Sequence, residues 1–276
     1  MMNSQEKAQA LIEAFHYVKS FKDRIMVIKY GGNAMINEKI KESVFGDISL
    51  LRQLGQKIVF VHGGGPFIDR QLQEAGIQKA VRNGLRVTDA KTLEIVVNIF
   101  KEINRECVEL FQRHHIAAQD CTDGLLLTRI TDDCLGYVGD IIKVNRQLLL
   151  DTLDQGLIPV VSSIGTTASG QKTNINADTA AVEIAVSLQA AKITILTNVD
   201  GVFLGDTLIS HMNIQDIKTG IDKGTITDGM IPKLMACSRA VEQEVAKAHL
   251  INGTTEHALL LELFTESGIG TEVVKS

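Results

Sequence analysis

The sequence predicts a three-layer αβα sandwich around a mainly parallel open sheet. Short runs that are apolar on both faces, "IMVIKY" (25–30), "KIVFVH" (57–62), "LIPVVSSIG" (157–165) and "KITILTNVDGV" (192–202), read as strands covered on both sides. Helical patterns separate them, and crossovers of that length favour parallel pairing. Two of the strands run straight into glycine turns, at the end of an open α/β sheet where ligands bind.

In chain order, "KAQALIEAFHYV" (7–18) places Ala8, Leu11, Ile12, Phe15 and Val18 at helical spacing, with Ser4 as a cap, so an amphipathic helix is expected before the first strand. Between the first two strands, Ile40, Val44, Ile48, Leu51 and Leu54 form one helical stripe that ends at Gly55, completing a βαβ unit. After the second strand, Pro66 suits the first helical position and Gly76 the end of a short helix carrying Phe67, Ile68, Leu72 and Ala75. A long helix follows from about Asp89 to His114. The stretch 115–150 is rich in Asp and Gly and reads as substrate-facing hairpins rather than another βα unit. "ADTAAVEIAVSLQA" (177–190) is helical, a helix runs from "TDGMIPK" to about His249, and "HALLLELF" is a last strand or short helix. There is no internal repeat and no linker. The expected organisation is one continuous domain, with an N-terminal helix (1–22), a first lobe (23–185) and a second (186–276).

With 45% hydrophobic and 22% charged residues among 276, the chain has the composition of a soluble globular protein. Its formal charge of −5 offers no positive field for a nucleic-acid backbone. The four cysteines (107, 121, 134, 237) lack metal-ligand spacing and read as reduced thiols; no metal site is expected. Glu6, Lys7 and Glu13 interrupt any signal-peptide core, and no apolar run approaches the roughly 20 residues that span a bilayer. A cytoplasmic location without membrane contact is the expectation.

The chemistry-bearing segments are Lys29-Tyr30-Gly31-Gly32 and His62-Gly63-Gly64-Gly65. Glycines let a backbone approach an anion and aim N–H groups at it, and the helix starting at Pro66 adds its positive end. A lysine beside such a turn can follow a phosphoryl group in transfer. The glycines could equally serve tight turns alone. No GxxxxGK[ST], GxGxxG or GxSxG is present, which excludes the phosphate loop, the dinucleotide fingerprint and the hydrolase elbow. His62 reads as structural rather than as a base. Arg86, on a turn, is either a carboxylate clamp or a solvated arginine. Asp178 is either a helix N-cap or a site carboxylate. Lys233, in the first turn of a helix, opposes the dipole there, and that cost suggests use.

Taken in order, "KYGGNAM", "VHGGGPFID", "NGLRVTD", "GYVGDI", "PVVSSIG", "NINADTAA", "LTNVDGV" and "TDGMIPK" resemble the amino acid kinase family, essentially end to end, and within it the branch that acts on N-acetyl-L-glutamate in L-arginine biosynthesis. The resemblance implies the amino acid kinase fold and transfer of the γ-phosphoryl of ATP, carried with Mg²⁺, to a side-chain carboxylate, giving an acyl phosphate. A carboxylate with a pKa near 4.3 is already ionised, so such a reaction needs no general base. By resemblance, Lys29 and Lys233 flank the phosphoryl group, Asp178 orients both, and Gly32 and Gly64 donate N–H groups. Gly64, Gly65, Arg86 and Asn174 hold the acceptor. Asn198, Val199, Asp200, Gly201, Val202 and Phe203, with Thr225, Asp228, Gly229 and Met230, line the nucleotide pocket.

Members with a helix before "KYGGNAM" resemble the hexameric, L-arginine-inhibited branch. This implies a trimer of dimers interlaced by that helix, and an allosteric arginine site at Tyr17, His249, Glu262 and Gly268. A nitrogen-signalling regulatory protein is a possible further partner. Where the family usually has a glycine-lysine-aspartate turn, this chain has "AQDCTDG", with Cys121 and Thr122 at the glycine and lysine positions. The alternatives are a kinase for a related acid such as N-acetyl-aminoadipate, and a non-catalytic arginine sensor on the same fold.

Overall fold

In the computed structural model the described residues are 3, 5, 9, 12, 21–130, 132–227, 229–265 and 268–276. The helix expected over 7–18, including Tyr17, falls outside them save for single positions. The first half of the chain runs β1 (Ile25–Tyr30), a 3-10 turn (Gly32–Met35), α1 (Glu38–Gln53), β2 (Lys57–His62), α2 (Gly65–Glu74), β3 (Val81–Arg82), β4 (Leu85–Arg86), α3 (Ala90–Arg113), β5 (Ala118–Asp120), β6 (Leu126–Ile130), β7 (Gly139–Val144) and α4 (Arg146–Asp154). There follow β8 (Ile158–Ser162), β9 (Ile164–Thr167), β10 (Lys172–Asn174), α5 (Ala177–Leu188), β11 (Lys192–Thr197), β12 (Val202–Leu204), β13 (Thr207–Ile209), β14 (His211–Asn213), α6 (Ile214–Asp222), α7 (Met230–Glu242), β15 (Lys247–Asn252), α8 (Ala258–Phe264) and β16 (Thr271–Val274). No helix among the described residues is long and apolar enough to cross a membrane.

The central sheet has eight strands in the order β14-β16-β15-β11-β1-β2-β8-β5, parallel except where β16 meets β15. Alternate residues of its strands enter two separate cores, as the two-residue period of a strand requires. Val27, Val59, Val61, Ile193 and Ile195 face α4, α5, α6 and α7. Met26, Ile28, Tyr30, Ile58 and Phe60 face α1, α2, α3 and α8. The result is the expected three-layer sandwich, and one sheet runs through both expected lobes because β1 pairs with β11. A second sheet, β10-β9-β6-β7, stands apart from the main one.

On the second face, Phe45 lies 5.3 Å from Phe60 and 4.6 Å from Phe111, ring centre to ring centre, and is fully buried. Phe45→Ala is expected to cost about 3–5 kcal/mol, the usual range for emptying a buried aromatic site. The check is a lower urea midpoint with an unchanged slope.

Local signals explain the helix ends. Asn37 caps α1 by accepting from the N–H groups of Lys39 and Ile40, and Gly55 follows the helix at φ 91°. Asp89 caps α3 through Thr92 N–H. Two expectations are corrected. The helix from "TDGMIPK" stops at Glu242, because Glu244 turns left-handed (φ 71°), and 247–252 is strand β15 rather than helix. The stretch 115–150 contains the start of helix α4, whose Leu149 and Leu153 lie four apart in the first core. Since β5 pairs parallel with β8, that stretch is a crossover with the β6–β7 hairpin inserted, not a set of hairpins alone. "HALLLELF" takes the short-helix form of the two expected, as α8, and the last strand is β16 beyond it.

Candidate active site

The crevice opens at the carboxyl end of β1, which has β2 on one side and β11 on the other, so the chain connections diverge there. Register places Lys29 beside Val61 and Ile195, and Tyr30 beside His62, which in turn pairs with Ser162. Both glycine turns therefore leave the sheet at one level.

Lys29 is mostly buried, and its Nζ lies 2.9 Å from Asp178 Oδ1. Asp178 does not cap α5. Asn176 does, accepting from the N–H groups of Asp178 and Thr179, which leaves the Asp178 carboxylate to the lysine. Gly32 adopts φ 68°, which an L side chain resists, and a Cβ there would stand 2.7 Å from Asn198 Oδ1. The same Asn198 oxygen accepts from Asn33 N–H at 3.0 Å. Gly64 has extended backbone, but a Cβ on it would come within 2.9 Å of the Phe100 ring, so bulk is what glycine avoids there. Gly65 opens α2, and nothing stands within 4 Å of the place its Cβ would take. The unpaired N–H groups of that first turn suit an anion.

The opposite wall carries Arg86. It lies on β4 rather than on a turn: Asn83 (φ 51°) and Gly84 (φ 77°) form the two-residue loop of a β3–β4 hairpin. Its Nη2 is ion-paired with Asp69 of α2, while Nη1 is buried without a partner. Asp69 also holds Lys79 at 2.7 Å; burial works to raise its carboxyl, but the two cations bring it below the usual carboxylate range. Asn174 Nδ2 donates to Thr88 Oγ1 at 3.1 Å.

Lys29, Gly32, Gly64, Gly65, Arg86 and Asn174 line one cleft of about 320 Å³. Phe100, Ser163 and Ile175 also line it and were missed by the sequence reading. Phe100 sits on the apolar stripe of an amphipathic helix, where nothing in the pattern separates a ligand-facing residue from a core one. The cleft is concave, half polar in character and rich in donors, so it can hold two anionic groups end to end.

Of the expected nucleotide residues, Asn198 lies beside Gly32, in the turn that follows β11. Asp200 accepts from Asn252 Nδ2 at 2.7 Å, and Val202 N–H donates to Thr271 Oγ1 across Gly201. Val199 and Phe203 are exposed. Thr225 Oγ1 donates to Gly220 O, and Met230 N–H to Thr227 O. Asp228 lies outside the described residues. Lys233 is not among the residues lining the cleft; its Nζ donates to Gly229 O at 3.0 Å, within its own helix start. Among the described residues no group of three or more His, Cys, Asp or Glu is arranged to hold a metal ion.

A second, smaller cavity of about 130 Å³ brings His249, Glu262 and Gly268 together; Phe21, Lys192, Lys247 and Glu272 also line it. His249 Nδ1 lies 2.5 Å from Glu262 Oε1, and Glu262 Oε2 accepts from the N–H groups of Ile269 and Gly270. Burial raises the Glu262 carboxyl, and these bonds outweigh it to leave a net lowering. Burial drives Lys192 down to about 8 against the pull of Glu262 and Glu272. Its Nζ stands 4.7 Å over the Phe21 ring. Tyr17 lies outside the described residues.

Glu272 is lowered from 4.5 to about 2, first by its hydrogen bond with His249 and then by Lys247, with burial opposing. A carboxyl depressed on folding contributes stability above its unfolded pKa and loses it as pH falls through the folded one. The urea midpoint is therefore expected to drop between pH 4.5 and about 2, and Glu272→Gln to flatten that dependence. An unchanged pH profile in the variant would remove Glu272 as its source.

The amino acid kinase family model matches residues 24–252. An acetylglutamate kinase of Desulforamulus reducens is 42% identical over 99% of both chains. One of Caldanaerobacter subterraneus subsp. tengcongensis is 43% identical over 98% of this chain and 93% of its own. An N-acetylglutamate synthase from Neisseria gonorrhoeae, in complex with coenzyme A and N-acetyl-glutamate, superposes with a TM-score of 0.90 at 27% identity, covering 98% of this chain. This chain spans 63% of that synthase's length. Carbamate kinase from Giardia lamblia, at 17% identity and a TM-score of 0.68, shares the fold.

Proposed function

This chain belongs to the amino acid kinase family, and from that membership we infer that it transfers the γ-phosphoryl group of ATP to the side-chain carboxylate of N-acetyl-L-glutamate, in L-arginine biosynthesis. The observation that carries the reading is one cleft in which a lysine–aspartate pair, a glycine-lined helix start and a half-partnered arginine face each other.

In the reaction a carboxylate oxygen forms a bond to the γ-phosphorus, the bond from that phosphorus to the bridging oxygen breaks, and ADP leaves with the electron pair. No proton moves, so the residues that matter are cations and N–H donors rather than bases. Arg86 and Asn174 grip the α-carboxylate end of the acceptor, with Gly64 and Gly65 along it. Lys29, held by Asp178, meets the charge spreading over the phosphoryl oxygens, with the N–H groups of Gly32 and Gly64. The first lobe (23–185) supplies these groups. The second (186–276) supplies the nucleotide surface around Asn198–Phe203, Thr225, Gly229 and Met230. Lys233 joins from that side by exchanging its bond to one carbonyl for a phosphate oxygen. Mg²⁺ arriving with the ATP phosphates would supply further charge neutralisation.

The test is acyl phosphate formation trapped with hydroxylamine, comparing N-acetyl-L-glutamate with N-acetyl-aminoadipate, glutamate and aspartate. Selective turnover of acetylglutamate supports the reading; turnover of another acid moves the substrate, and none with any acid leaves the fold without this activity.

L-Arginine is the effector we assign to the second cavity. In support, a buried carboxylate with strong donors already around it, Glu262, faces the space, and a guanidinium would take over the position His249 holds. A second structure of the gonococcal synthase is a complex with coenzyme A and L-arginine, which concerns that protein. Glu262→Gln is expected to raise the half-inhibitory arginine concentration at least about tenfold; an identical inhibition curve would sink the assignment. The amphipathic stripe within residues 1–22 supports a hexamer, and sedimentation of a chain cut before Phe21 checks it.

A further inference from the structure

We propose that His62 is a positioning residue of the glycine cradle: a neutral imidazole with its proton on Nδ1 fixes the Gly63 carbonyl, and the Asn104–Thr122–Ser162 chain behind it keeps the ring in that tautomer. This rests on the preceding reading only in taking the cradle as part of the acceptor site.

His62 closes β2 and is fully buried. Its Nδ1 lies 2.9 Å from Gly63 O, and Nε2 lies 2.5 Å from Asn104 Oδ1. Asn104 Nδ2 lies 2.8 Å from Thr122 Oγ1, which is 3.0 Å from Ser162 N and 3.2 Å from Ser162 Oγ. These residues come from four places, β2, α3, the turn after β5 and the end of β8.

Proton accounting orders the chain. A carbonyl only accepts, so Nδ1 must donate to Gly63 O. Burial drives the imidazole toward its neutral form, against its bonds to Gly63 and Asn104 and the charges of Asp120 and Glu106. A neutral ring has one N–H, so Nε2 accepts and Asn104 must offer it an NH₂. The amide therefore sits turned over, an exchange of O and N that leaves its shape unchanged. Its oxygen then takes the Thr122 hydroxyl proton, and Thr122 Oγ1 accepts from Ser162 N–H. Every donor finds an acceptor in one direction only, from Ser162 to Gly63.

Peptide planarity passes this order to the site. The Gly63 carbonyl and the Gly64 N–H belong to one plane and point opposite ways, so fixing the carbonyl aims the N–H. Gly63 N–H donates to Tyr30 O at 2.9 Å, which ties the same residue to the strand that carries Lys29. At the other end, Ser162 precedes Ser163, which lines the cleft and whose carbonyl accepts from Ile175 N–H. The chain thus couples the cradle to the facing wall of the pocket.

The first arm needs no variant. The full-length protein, labelled with ¹⁵N in its histidine rings and sedimented for solid-state NMR, should show a His62 signal pair with Nδ1 protonated and Nε2 bare at neutral pH, identified by its loss in His62→Gln. An Nε2–H tautomer or an imidazolium overturns the proposal. The second arm is kinetic. Thr122→Val removes the hydroxyl while keeping the shape, and should lower turnover of N-acetyl-L-glutamate about tenfold, with the KM for ATP changed less than about twofold. Thr122→Ser, with the hydroxyl restored, should return turnover to within about twofold of wild type. Wild-type kinetics in Thr122→Val, or a loss that Thr122→Ser does not restore, overturns the positioning role. If the wild-type enzyme itself fails to turn over acetylglutamate, the functional reading fails instead, and the ring spectra still decide the tautomer.

Discussion

Lys29→Ala is expected to lower turnover by about two to four orders of magnitude while the KM values for both substrates move only a few-fold. Removing a single preorganised donor from a developing charge costs about 10²–10³ in rate, and a full cation on a transferring phosphoryl group stands at or above that range. The geometry favours a catalytic over a structural reading. Lys29 sits at the carboxyl end of a strand whose other residues fill two cores, and its ion pair with Asp178 leaves the ammonium at the cleft wall. A lysine kept for stability alone would have its worth in that mostly buried pair, whose breaking leaves the Asp178 carboxylate without its cation. Losing it would lower the melting temperature more than the rate. The hydroxylamine assay beside a thermal melt separates the two. Asp178→Asn should cost less than Lys29→Ala, and the double variant little more than Lys29→Ala alone, because the aspartate acts through the lysine. Unchanged turnover in Lys29→Ala would remove the residue from the mechanism.

How much of this was legible beforehand depends on the kind of signal. Lys29 stood out because a charge at the end of a strand apolar on both faces breaks a pattern, and Gly32 because it belongs to a glycine pair through which a backbone can approach an anion. The sandwich followed from periodicity, which survives in any sequence that buries a sheet on both sides. The choice between cap and site for Asp178 needed coordinates, since Asn176 two residues earlier serves as the cap with the same chemistry. The Asn83-Gly84 pair was a hairpin signal in plain view, overlooked because strands of two residues are too short to show alternation. Strand β15 was hidden for another reason. "KAHLIN" carries no turn residue before it, and the left-handed position that ends α7 is a glutamate instead of a glycine. That strand places His249 beside Thr194 in the sheet, and β16, too short to notice, adds Glu272. So the second cavity was legible in three of its residues through resemblance, while the charges supplied by β11 and β16 were invisible until the strands were paired.

Arg86→Ala is expected to raise the KM for N-acetyl-L-glutamate about 100-fold, with the KM for ATP nearly unchanged and turnover at saturation reduced less than about tenfold. The estimate follows from the loss of a charge-assisted, two-bond contact to a carboxylate in a partly desolvated cleft, on the order of 3 kcal/mol. The geometry of Arg86 suits that contact. Nη2 is spent on Asp69, while Nη1 is buried beside the cleft with no acceptor, a cost that an incoming carboxylate would remove. Asp69 holds the guanidinium plane, so Asp69→Asn should weaken acceptor binding by a smaller factor. Arg86→Lys should rescue little, because an ammonium cannot face Asp69 and a substrate carboxylate with the same fixed fork. The structural alternative makes the opposite forecast. If the Arg86–Asp69 pair only pins the β3–β4 hairpin to α2, both alanine and lysine variants would act through stability, and the KM for the acceptor would stay where it was.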